Sequence, residues 1–143
     1  AARDLTSAAA HYAASRNGDD LWYSRQLMTV AGTAPLIPQR IAALQQASTS
    51  GERATHTAEA PFNAWYSLSQ VRASQGNAAG VESALRAAIA AHPNWFKPHW
   101  TLAQLLVLER RIPEARAQAQ TAADLDAGKH PEVSRTLQEA NRL

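Results

Sequence analysis

The side chains of this sequence that could do chemistry are few, and their spacing decides what they can do. Histidines stand at His11, His56, His92, His99 and His130, and an acidic pair at Asp19-Asp20. The stretch HPNWFKPHW at 92–100 gathers aromatic rings, two histidines, two prolines and a lysine. The metal motifs a sequence can show place histidine with partners at close spacing, as in HExxH on one helix face, or alongside cysteines. No such spacing occurs, and the chain has no cysteine, which also removes thiol nucleophiles. GxSxG, Walker and GxGxxG patterns are absent from the sequence. The histidines are therefore expected at the surface or at helix ends. No catalytic residue, metal or cofactor is assigned, and the chain is expected not to be an enzyme. Asp19-Asp20 precede the apolar run LWYSRQL, where carboxylates cap a helix and complement its dipole.

HPNWFKPHW itself is open to two readings. Rings beside a cation form a ligand platform, but rings beside prolines also seal the corner where one helix stops and another starts. The second is preferred, with Trp95 and Phe96 packing between helices, as Trp65 does.

The elements that position these residues follow from composition and period. At 143 residues the chain is long enough for one domain with a continuous core. Its net charge is +2, and the basic residues are scattered, with Arg110-Arg111 as the only adjacent pair. A nucleic-acid binder would gather them on one face, so no nucleic-acid partner is expected. No apolar run approaches the ~20 residues of a membrane span. The start AARDLTSAAA has neither Met nor a long apolar stretch, so the chain is expected to be a piece of a larger protein. Localisation stays open.

Alanine and leucine dominate and apolar residues recur at three- and four-residue steps, which predicts an all-α fold. Shifted by 34 residues, the chain matches itself: Phe62 falls on Phe96, Tyr66 on Trp100, Leu68 on Leu102, Gln70 on Gln104 and Ala88 on Ala122. That period belongs to helix-turn-helix solenoids. One helix is predicted over about 61–75, broken by Gly76-Asn77. A second carries Val81, Ala84, Leu85, Ala88 and Ile89 inward and is stopped by Pro93. The next unit has helices over about 95–109, with Leu102, Ala103 and Leu106, and over about 113–125, with Ala115, Ala119 and Ala122. Gly128 to Pro131 stops and restarts the chain, opening a last helix through about Asn141 whose Val133, Leu137 and Ala140 cover the end of the stack. Towards the N-terminus a helix is expected over 5–15, ended by Asn17-Gly18. LWYSRQL forms another, with Ile41, Ala42 and Leu44 on its partner helix. An enlarged connection is expected at 32–38 and a loop at 48–53, with the Trp65 helix extending back to Ala54.

Trp65, Leu68, Ser69, Gly76, Val81, Leu85, Ala88 and Pro93, then Leu102, Ala103, Leu106, Ala115, Ala119 and Ala122, resemble the defining positions of the tetratricopeptide repeat family over residues 62–126. Arg72 departs from the family's large aromatic, Arg110 from its turn glycine and Ala127 from its closing proline. The resemblance implies a right-handed α-α superhelix of such repeats with a C-terminal capping helix. The single domain over 1–143 would divide into diverged helices over 1–53, units over 54–94 and 95–127, and a cap over 129–143. It further implies a concave surface built by the first helices, carrying Asn63, Tyr66, Gln70, Lys97, Trp100 and Gln104. Amides and rings at repeated spacing suit an extended peptide, and suit equally a contact with the N-terminal helices of the same chain. The family's carboxylate clamp uses lysine and asparagine at these positions, so that subclass is not expected.

DDLWYSRQL, AWYSLSQ, LRAAIAAHPNWFKPHWTLAQLL and GKHPEV together are similar to the C-terminal repeat extensions of bacterial O-antigen ligase and polymerase-like membrane proteins. Two functions follow as expectations. The first is a non-catalytic scaffold whose groove binds a peptide or partner protein. The second is an accessory domain, its parent anchored in a membrane, that serves carbohydrate-assembly machinery.

Overall fold

Every proline in the sequence falls in a linker or in the first turn of a helix, where the missing N–H leaves no hydrogen bond unmade. The computed structural model describes residues 20–57 and 61–143, which form seven α-helices and no strand. They are α1 (Asp20–Thr33), α2 (Ile37–Thr57), α3 (Pro61–Ser74), α4 (Ala78–Ala91), α5 (Phe96–Leu108), α6 (Ile112–Asp126) and α7 (Pro131–Arg142). Two compact units result, one closing at Ala84 and the other opening at Leu85, inside α4.

In the first unit α2 packs between α1 and α3. Tyr23 and Leu27 of α1, Ala47 of α2 and Val71 of α3 form one core cluster, and Val30, Ala31 and Ala43 another. The Ser24 hydroxyl donates to the Ala47 carbonyl at 2.7 Å inside this core, so a buried polar atom is satisfied rather than stranded. Gly51 marks the closest approach. A Cβ there would stand 3.2 Å from both Leu68 Cδ1 and Ser24 Oγ.

Three expectations for this half are corrected. Residues 48–53 are helical, because Ser48, Ser50 and Gly51 are small residues turned into the packed face of α2 and not loop residues. The connection expected over 32–38 shrinks to Ala34–Leu36, since α1 runs to Thr33 and α2 begins at Ile37. Ile41, Ala42 and Leu44 do lie on α2, where Leu44 packs on the Val30, Ala31 and Ala43 cluster; the buried stripe of the helix is Ala43, Ala47, Ser50 and Ala54, and Ile41 is 51% exposed. Ala54 belongs to α2 and not to the Trp65 helix, which starts at Pro61. The helix expected over 5–15 lies outside the described residues, as do His11 and Asp19. Asp20 does occupy the first turn of α1, where its Oδ1 accepts from Arg53 Nε at 3.2 Å.

In the second unit α5 packs on α6, and α7 lies against both. Leu102 and Leu106 of α5 are fully buried, and α6 presents Ala115, Ala119 and Ala122. Small residues let the backbones approach closely. Ala103, Ala119 and Ala140 meet at the three-helix centre, with Val107 and Leu137 packed around them. The outward positions of α7, Glu132, Arg135, Gln138, Glu139 and Arg142, are polar. Arg116 Nε also donates to the Ala140 carbonyl at 3.0 Å.

The 34-residue period survives in the backbone. Gly76 has φ 71° and Arg110 φ 62°. Gly76 N–H donates to Ala73 O at 3.0 Å and Asn77 N–H to Arg72 O at 2.9 Å. One period on, Arg110 N–H donates to Val107 O at 3.0 Å and Arg111 N–H to Leu106 O at 2.9 Å. Both are Schellman closures. The next helix starts alike, with Val81 N–H on Asn77 O and Ala115 N–H on Arg111 O, each at 3.0 Å. Position 110 thus keeps the glycine conformation without the glycine. An L side chain in this region costs roughly 1–2 kcal/mol, and glycine's greater unfolded-state entropy offsets roughly 0.4–1 kcal/mol of that, so Arg110→Gly is expected to stabilise the chain by about 0.5–1 kcal/mol. A rise in the urea midpoint at unchanged slope checks it, and an unmoved midpoint refutes it.

Candidate functional site

HPNWFKPHW proves to be a joint in its interior positions. α4 ends at Ala91, and Pro93 and Asn94 turn the chain before α5 starts at Phe96. His99, expected at the surface, is only 6% exposed. Its Nε2 lies 2.8 Å from the Pro93 carbonyl and its Nδ1 2.8 Å from the Gln118 carboxamide of α6. A carbonyl only accepts, so Nε2 carries a proton. At Nδ1 the amide presents its oxygen to a cationic ring or its amino group to a neutral one, and a half-turn of the amide interchanges the two. Either way one imidazole fastens the incoming turn and α6 to α5. The signal was present in the sequence: His99 stands 34 residues after Trp65, a position that faces the neighbouring helix.

Trp95 and Phe96 are half-buried and not fully enclosed. Phe96 stacks on His130 with centroids 5.0 Å apart and planes at 26°. His130 ties a second knot. Asp126, the last residue of α6, is 2% exposed. Its Oδ2 accepts the His130 backbone N–H at 2.8 Å, and its Oδ1 meets His130 Nδ1 in a short contact. The chain reverses between them through Ala127 at φ 54° and Gly128 at φ 76°. Burial pushes the Asp126 carboxyl up, but the ring and backbone hydrogen bonds from His130, with the charges of His130 and Lys129, outweigh it and hold the group below its ordinary value of 3.8.

A depressed folded-state value fixes the sign of the pH effect. The carboxylate stabilises the fold above the unfolded carboxyl range, and that contribution is lost as pH falls through the folded value. Asp126→Asn is expected to melt below the native chain at neutral pH, with the gap closing in strong acid. Equal melting temperatures at neutral pH would remove the clamp.

The residues assigned to a groove fall into two trios, each at i, i+3 and i+7 on one helix face. Asn63 and Tyr66 are half-buried and Gln70 is exposed on α3; Lys97 and Gln104 are exposed and Trp100 is half-buried on α5. Trp100 is already engaged within the chain. Its indole N–H donates to Thr136 Oγ1 of α7 at 2.8 Å, and that hydroxyl in turn donates to the Glu132 carbonyl at 3.1 Å. Its polar edge therefore belongs to the α5–α7 contact. Arg111, one of the adjacent arginines, donates twice to Glu114, at 3.0 and 2.8 Å, and once to Glu109 at 3.1 Å. Among the described residues no three histidine, aspartate or glutamate side chains converge as a metal site, and no helix is long and apolar enough to cross a membrane.

Compared with models of known protein families and with curated proteins, the chain matches none.

Proposed function

We propose that this chain is a non-catalytic interaction module of the tetratricopeptide kind, its helix pairs coiling into a right-handed superhelix and its first helices receiving a peptide or partner protein. The observation that supports it most is the recurrence after 34 residues of one turn geometry, with the same backbone bonds and a left-handed residue at the same position. Leu68 and Leu102, one period apart, are both interior, at 3% and 0% exposure. Such a period belongs to solenoids, which bind through extended concave surfaces. Asn63, Tyr66 and Gln70 on α3 and Lys97, Trp100 and Gln104 on α5 are the binding residues of this reading. The exposed amides Gln70 and Gln104 suit peptide backbone groups, and Lys97 suits an acidic residue.

The test is selection of binders from a peptide array by the purified chain, repeated with Gln70→Ala and Gln104→Ala. Both positions are exposed, so each substitution should shift stability by less than about 0.5 kcal/mol. Each is expected to weaken a selected peptide about fivefold, the worth of one hydrogen bond. Failure to select any peptide, or binding indifferent to both substitutions, defeats the groove reading. A glycan array run in parallel tests the accessory-domain reading, in which the parent is a membrane-anchored O-antigen ligase or polymerase-like protein.

A further inference from the structure

In the first unit a cleft of about 360 Å³ is lined by Glu52 of α2, Trp65, Leu68 and Arg72 of α3, and Asn77, Gly80, Ser83 and Ala84 around the start of α4. That volume lies at the small end of the range for small-ligand sites.

The walls differ in character. Leu68 and Ala84 are buried and Trp65 is half-buried, giving one apolar side. The Arg72 side chain is 22% exposed and donates a single hydrogen bond, to Glu52. A guanidinium has five N–H donors, so most of its donors still face the cleft or solvent. The Ser83 hydroxyl makes no hydrogen bond among the described residues. Asn77 Oδ1 accepts the Gly80 N–H at 2.9 Å, which fixes the amide. Gly80 keeps this corner open, because a Cβ there would meet Asn77 Nδ2 at 2.5 Å and Arg72 Cδ at 3.1 Å.

Charge decides the ligand class. Glu52 contacts the guanidinium, so the pair is neutral and its field largely cancels. A free anion entering the cleft gains little attraction and meets the Glu52 carboxylate, and a free cation is opposed in the same way by Arg72. A hydroxyl accepts and donates at once. Adjacent hydroxyls can therefore take an N–H from Arg72 and give an O–H to Glu52, while the polarised C–H face of a saturated ring lies against the electron-rich indole. We propose that this cleft is a binding site for a neutral, hydroxylated ring, a pyranose being the simplest case. It is separate from the α3 and α5 faces proposed for peptides and does not depend on them.

The experiment is a titration of the full chain with methyl glycosides of glucose, galactose and mannose, followed by proton–nitrogen NMR. The Trp65 indole signal is identified through Trp65→Phe. At least one glycoside is expected to move the Trp65 indole and the Gly80 amide together and saturably, with a Kd on the order of 1–10 mM. Arg72→Gln and Glu52→Gln should each weaken that binding about tenfold or more with helix content unchanged. Glu52 is largely exposed, so its variant stays informative if Arg72→Gln folds poorly. The assignment is overturned if no glycoside moves both signals by about 50 mM, if acetate moves them as strongly, or if folded Glu52→Gln binds as the native chain does.

Discussion

Leu102→Ala is expected to cost about 3–4 kcal/mol, the upper part of the usual range for a buried leucine. Leu102 is fully buried. The cost of a truncation depends on how far the neighbours relax into the hole, and here few can. The facing helix presents Ala115, Ala119 and Ala122, all at most 1% exposed, and Ala140 of α7 meets Ala103 and Ala119 beside them. Alanine has no rotamers with which to swing inward, so the cavity stays open. The second unit spans residues 85–143, and a domain of that size holds only several kcal/mol in total. Urea unfolding of the full chain should show the loss as an earlier transition. Leu68→Ala, one period back and 3% exposed, should cost a similar amount, and less if Gly51 and its neighbours close on it. A loss below about 1 kcal/mol at Leu102 would mean that the helix pair is not packed as described.

His99→Ala is the second large effect, about 2–3 kcal/mol. The imidazole occupies a buried position and joins the Pro93 carbonyl and Gln118 to α5 through two contacts of 2.8 Å. Removing it leaves a void and takes a partner from two polar groups, which adds desolvation cost to lost packing. His99→Phe separates the two contributions. It keeps most of the volume, so a loss nearly as large as that of His99→Ala assigns the effect to the hydrogen bonds, and a small loss assigns it to packing. Denaturant midpoints and melting temperatures of both variants decide this. If His99→Ala left the midpoint unmoved, the stretch 92–100 would not be a joint at this residue.

The sequence on its own determined the rhythm of this chain: which residues form helices from Pro61 onward, where those helices stop, and which face of each turns inward. Proline, glycine and three-to-four-residue apolar spacing act locally, so their consequences can be read in one dimension. Even Arg110 was marked as occupying a glycine position. Tertiary structure decided what depends on residues far apart in the chain. Ser48, Ser50 and Gly51 have the composition of a loop, yet they lie in a continuous helix because small residues are what a close crossing of α2 with α1 and α3 requires. Which side of α2 turns inward was also settled by packing: Ala43 and Ala47 are buried against α1, and Ile41 stays exposed. His99 became a buried latch only when folding brought Gln118 beside it, and Asp126 a clamp only when the chain reversed at Ala127 and Gly128. Close packing and hydrogen bonding between distant segments have no one-dimensional signature, because a small or polar residue looks the same in sequence whether it meets water or another helix.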